Sequence, residues 1–96
     1  MDEGLRDKTL RFLYQHAQAV AYGALAPLIG SIARNCMAGL DKTPRNSWVV
    51  AKKSGKPTAY LPDQIDKRQT ASISSYGVIQ ESTKLRIWLK IIGIQI

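Results

Sequence analysis

The chain has 96 residues, 45% of them hydrophobic, and its 14 Lys/Arg against 7 Asp/Glu give a formal charge of +7. That length supports one small core and excludes a catalytic domain beside a separate binding domain, while a single cysteine, Cys36, with His16 as the one histidine, excludes an internal disulfide and a zinc set. No apolar run approaches the roughly 18 residues of a membrane span and the start "MDEGLRDK" is unlike a secretory leader, so a soluble, monomeric, intracellular protein of cytoplasm or nucleus is expected, with no membrane partner.

The first predicted helix covers about residues 3 to 18, where Leu10, Leu13, Tyr14 and Ala17 recur at helical spacing. A second, short helix lies in "YGALAPLIG", with Pro27 in an early turn and Gly30 as the stop. Ser31 then caps a third segment, in which Ile32, Cys36 and Leu40 fall at i, i+4 and i+8 and share an inward face. Arg34 lies about 200° round from Ile32, so it points outward beside Ser31 and Ala38. Two short helices joined by a Gly-containing turn outline a helix-turn-helix.

After Pro44 the period changes. "SWVVAKK", an "SGKP" turn and "TAYLP" read as a β-hairpin bounded by Pro57 and Pro62. "DQIDKRQTASISSYG" reads as a polar helix stopped by Gly77, and "VIQ" and "KLRIWLKI" fit either strands or a terminal helix, a short β-hairpin or extended pair being preferred because isoleucine dominates. The expected fold is therefore a single α+β domain over residues 1–96, winged helix-turn-helix-like, with three N-terminal helices, a hairpin and a further helix.

Residues 1–40 hold four Lys/Arg against three acids and residues 41–96 hold ten against four, an imbalance that points to a polyanionic partner. Lys52, Lys53 and Lys56 cluster at the hairpin turn, and Lys67 with Arg68 follows. On a wing beside the third helix such cations would meet phosphates, which raises affinity without choosing a sequence.

In this order, four stretches resemble the DNA-binding domain of the O6-alkylguanine-DNA alkyltransferases and of their non-catalytic relatives, the alkyltransferase-like proteins. "AYGALAPLIG" is similar to the family's "TYGEIAKLIG", "SIARNCMAGL" to its recognition helix "xxARAVGxAL", "SGKPTAY" to the turn after the active-site strand, and "RQTASISSYGV" to "RQxxxLxxEGV". The likeness spans about residues 12–88. It implies a third helix that enters the minor groove, with Arg34 filling the stack left by a flipped-out guanine and Tyr22 crowding the nucleotide's phosphate. It further implies DNA contacts from Ser31, Asn35, Met37 and Ala38, and a lesion pocket formed by Ser47, Trp48 and Tyr60.

The family's catalytic "PCHRV" is missing. Ser47 or Trp48 stands at the cysteine position, depending on one deleted residue, and Tyr76 stands where the glutamate of "EGV" would be. Cys36, on an inner face, reads as a small buried hydrophobe rather than a nucleophile, and Ser47 has no base beside it. Trp48 packs either on an alkylated base or in the core, and Trp88 reads as core. Met37 in place of a glycine, and Leu61 and Pro62 beside Tyr60, also depart from the family pattern.

The expectation is a protein that is not an enzyme and needs no metal or cofactor. Its partners would be double-stranded DNA carrying alkylated guanine and other DNA-repair proteins. Two alternatives stand beside it: a general helix-turn-helix protein that reads sequence in the major groove, and a degenerate domain serving as a protein-interaction module. An uncharged outer face on the third helix disfavours the first of these, since base readout uses several Arg, Asn or Gln.

Overall fold

Helix α1 (Glu3–His16) begins where the Asp2 carboxylate accepts the Leu5 amide at 2.9 Å and ends at Ala17, which adopts a left-handed conformation (φ 51) and returns its amide to the last carbonyls. Its buried stripe is Arg6, Thr9, Leu10 and Leu13, a helical spacing whose first member is an arginine. The computed structural model describes residues 1–93.

Strand β1 (Ala19–Ala21) runs directly into helix α2 (Tyr22–Leu28), so no linker separates the central strand from Tyr22. β1 is buried along its whole length. Strands β2 (Val49–Val50) and β3 (Val78–Ile79) flank it, both parallel, with Val20 opposite Val49 on one side and Ile79 on the other. Helix α3 (Gln69–Tyr76) is stopped by Gly77 at φ 73, and α4 (Ser82–Ile91) packs chiefly against α2. The core joins Leu10 and Leu13 of α1, Leu25 and Leu28 of α2, Trp48 to Val50, and Leu85 and Leu89 of α4. The described residues therefore form a small α+β unit of four α-helices and a three-stranded parallel sheet.

Three expectations are corrected. The segment after Gly30 is not an α-helix: a 3-10 turn at Ala33–Asn35 is followed by irregular turns. Gly30 (φ 70) and Gly39 (φ 79) leave only eight residues between two left-handed positions, and Ser31 Oγ bonds the Ile32 carbonyl instead of capping an amide. Cys36 is the one buried residue of 31–38, so packing does not repay the cost of helix nucleation and the segment takes the tighter turn. Cys36 is buried as expected, but Ile32 is 51% exposed and Leu40 half-buried.

The hairpin is also absent. Residues 51–56 form a tight turn closed by Ala51 N–H to Lys56 O and Gly55 N–H to Ala51 O, both 2.9 Å, and residues 57–60 pair with no strand. Val49 and Val50 are both buried, as a parallel strand covered on both faces requires, and Pro57 and Pro62 lack the amides that a ladder needs. The last expectation fails at "KLRIWLKI", which is helical. Leu85, Trp88, Leu89 and Ile92 fall at i, i+3, i+4 and i+7 and face inward, leaving Ile87 and Ile91 exposed; packing overrides the β-propensity of isoleucine. Trp88 is half-buried, edge-on to His16 at 5.8 Å, rather than within the core.

A side-chain clasp closes the unit. Arg68 donates to the Asp66 carboxylate at 2.7 and 3.1 Å and to Tyr14 O at 2.9 Å, and its guanidinium lies over the rings of Tyr14 and Trp48. Arg68 is thus engaged by the fold, and Lys67 alone of that pair is left to solvent. Arg68 hydrogen bonding holds the Asp66 carboxyl below its ordinary value, against partial burial, which works the other way. With the folded pKa below the unfolded value of about 3.9, the clasp contributes stability above that value and loses it as pH falls through the folded pKa. Thermal melts from about pH 6 downwards should show Asp66→Asn less stable than the parent at the upper end, the difference shrinking once the pH falls below about 3.9.

Candidate nucleic-acid interface

Tyr22 opens α2 at the end of the central strand, and the chain after β2 returns to meet it. The Thr58 amide donates to Tyr22 Oη at 3.0 Å, and Tyr60 Oη donates to Asn46 O at 3.2 Å. Two phenols therefore pin the 57–60 segment, one to α2 and the other to the 3-10 turn Pro44–Asn46. Between them Ala59 sits at φ 61, a left-handed conformation costly for a residue with a Cβ. Burial, then the proximity of Tyr22, raises the Tyr60 phenol to about 12, so it stays a neutral donor at ordinary pH.

These tyrosines wall a cleft of about 480 Å3, completed by Ala33, Arg34, Met37, Ala38, Leu40, Lys42 and Thr58. The volume lies in the range of small-molecule sites, roughly 300–1000 Å3. Among the described residues two cations and no carboxylate line it. A second cleft of about 490 Å3, which shares Leu40 with the first, is lined by Asp7 and Asp41 with Arg45; Lys42 thus lines one cleft and Asp41 the other. Arg34 is exposed and makes no hydrogen bond or ion pair among the described residues.

The structure brings together Tyr22, Arg34, Met37, Ala38 and Tyr60, five of the residues singled out in the sequence. Ser31 and Asn35 belong to the same segment but lie outside the cleft lining. Lys52, Lys53 and Lys56 are exposed on the 51–56 turn, also outside it.

Ser47 and Trp48 are corrections: both are fully buried and neither lines the cleft. Ser47 Oγ donates to Pro44 O at 2.7 Å and accepts the Asp66 amide at 3.0 Å, while Ser47 O accepts from Gln69, which ties the start of β2 to α3. Trp48 fills the core under Arg68, with its indole N–H beside the Asp66 carboxylate. Lys42 was not among the residues singled out, because an isolated lysine in "GLDKTPRN" carries no spacing signal.

Cys36 is buried, with Sγ 3.2 Å from Ala33 O. Burial raises its thiol pKa, only partly offset by a backbone hydrogen bond and by the charge of Arg6. Among the described residues no three His, Cys, Asp or Glu gather as a metal site, and no helix is long and apolar enough to cross a membrane. No protein-family model matches the chain, and neither the curated proteins nor the solved structures include a match to it.

Proposed function

We propose that the chain is a non-catalytic DNA-binding protein that receives an alkylated guanine, rotated out of the duplex, in the Tyr22–Tyr60 cleft and marks it for other repair proteins. One observation carries this reading: a cleft walled by two aromatic rings, free of carboxylates, has an unpaired arginine on its rim. A flipped base needs stacking surface and a plug for the gap it leaves, and phosphates need a rim without negative charge. α2 and the short turn bearing Arg34 would act as a reduced helix-turn-helix, its second member small enough to approach the minor groove.

No alkyl transfer belongs to this reading. The Cys36 thiol is buried and held protonated, and Ser47 Oγ is enclosed by two backbone partners. A major-groove sequence reader is the weaker alternative, since the segment expected to lie in the groove is a 3-10 turn rather than a helix long enough to present several side chains.

Fluorescence anisotropy with an O6-methylguanine duplex and its unmodified twin tests the proposal. Tighter binding of the modified duplex is expected; equal affinities reject lesion recognition, and no salt-dependent binding at all favours a protein-interaction module. Replacing Lys52, Lys53 and Lys56 together with alanine is expected to flatten the slope of log affinity against log salt by about 0.9 for each phosphate that is no longer neutralised, with the preference for the modified duplex intact. An unchanged slope removes the turn from the interface.

A further inference from the structure

Five of the cleft's lining residues come from the stretch 33–40, yet that stretch has little internal support. Its backbone bonds are single-turn contacts such as Ala38 N–H to Asn35 O at 3.0 Å and Leu40 N–H to Met37 O at 3.3 Å. The tie that crosses to another element comes from α1. Arg6 is 5% exposed, and one guanidinium nitrogen donates to Cys36 O at 3.4 Å and to Ala38 O at 3.0 Å.

This arginine is not there for an ion pair. Its nearest carboxylate, Asp7, is 3.7 Å away with a side chain 65% exposed, and Arg6 Nε has no hydrogen-bond partner. Leu10 and Leu13 on the same stripe show that an apolar residue would serve the packing. Burying a cation is costly, and what the cation gains here is direction: two carbonyls of the turn that bears Arg34 converge on one nitrogen. The Cys36 side chain, fully buried, fixes the inner side of the same turn.

We propose that Arg6 is a positioning residue for the cleft, holding the 33–38 turn so that Arg34 stands at the rim. The inference rests on the reading of the cleft as a DNA site. Lysine at position 6 keeps the charge on a stem one atom shorter, so its ammonium falls short of the point from which the guanidinium nitrogen reaches both carbonyls, and Arg6→Lys isolates the positioning.

The test is a double-mutant cycle between Arg6→Lys and Arg34→Ala, read by anisotropy with the O6-methylguanine duplex and its unmodified twin, beside thermal melts of every protein. Arg6→Lys should weaken binding of the modified duplex by about threefold to tenfold, and should have no further effect once Arg34 is alanine. Its effect on the melt should be the same in both backgrounds. Equal binding by Arg6→Lys and the parent, or an equal loss with and without Arg34, overturns the inference while the cleft reading stands. Failure of the parent to bind either duplex overturns the cleft reading and this inference with it. Should Arg6→Lys not fold, Arg6→Met, which removes the buried charge and keeps an apolar stem, takes its place in the same cycle.

Discussion

Arg34→Ala is expected to abolish the preference for a modified duplex and to weaken binding to it by roughly tenfold or more, a loss of at least about 1.4 kcal/mol, while the melt of the free protein moves little. The two halves of this expectation come from one geometric fact. Arg34 is exposed and makes no hydrogen bond or ion pair among the described residues, and surface substitutions of that kind stay within about 0.5 kcal/mol in stability. On the bound side, extruding a base costs a few kcal/mol in stacking and pairing, and the guanidinium is a planar group at the cleft free of the hydrogen bonds that hold the two tyrosines, so it is able to stack in the gap. Anisotropy on both duplexes, with a thermal melt as control, checks it. Parent-like affinity and preference in the variant would remove the plug from the mechanism.

The largest effect on stability falls at Trp48. Truncation to alanine leaves a cavity at the junction of β2, α3 and the Arg68 clasp, and such truncations cost about 3–5 kcal/mol, a large share of the roughly 5–15 kcal/mol available to a domain of this kind. Trp48→Phe is expected to cost far less than that. The phenyl ring keeps most of the buried area and a face for Arg68, and gives up the rest of the indole with its N–H beside Asp66. Urea titrations of the two variants check the contrast. Were alanine and phenylalanine equally damaging, the loss would lie in the indole N–H beside Asp66 rather than in volume.

Much of the fold was legible where the chain uses sharp punctuation. Gly30 and Gly77 end their elements at positive φ, and the first two helices fall within a residue or two of where the apolar spacing places them. The misread elements share a different cause, a short pattern that tertiary context decides. After Gly30 the spacing of Ile32, Cys36 and Leu40 suits a helix, but Gly39 interrupts the trio and only Cys36 is buried, so packing holds no helix there. A doublet such as Val49-Val50 has no period, so an antiparallel and a parallel partner look alike until Ala19–Ala21 lies beside it. In "KLRIWLKI" the isoleucines at 87 and 91 suggest a strand, yet they are the exposed members of a helix.

The site divides in the same way. Tyr22, Arg34 and Tyr60 were singled out through family likeness and the structure gathers them around one cleft. Trp48 was drawn to the site by the same likeness, and the core claims it instead. Arg6 escaped notice because a stripe count scores arginine as polar and assigns it to solvent, whereas carbonyls presented by a distant turn satisfy it here.

The buried Cys36 has a practical consequence. A lone thiol beneath the rim turn and held protonated is a poor target for alkylating reagents while the fold is closed. Maleimide labelling of Cys36 therefore reports each opening of the molecule, a chemical clock for local or global unfolding that requires no engineered probe.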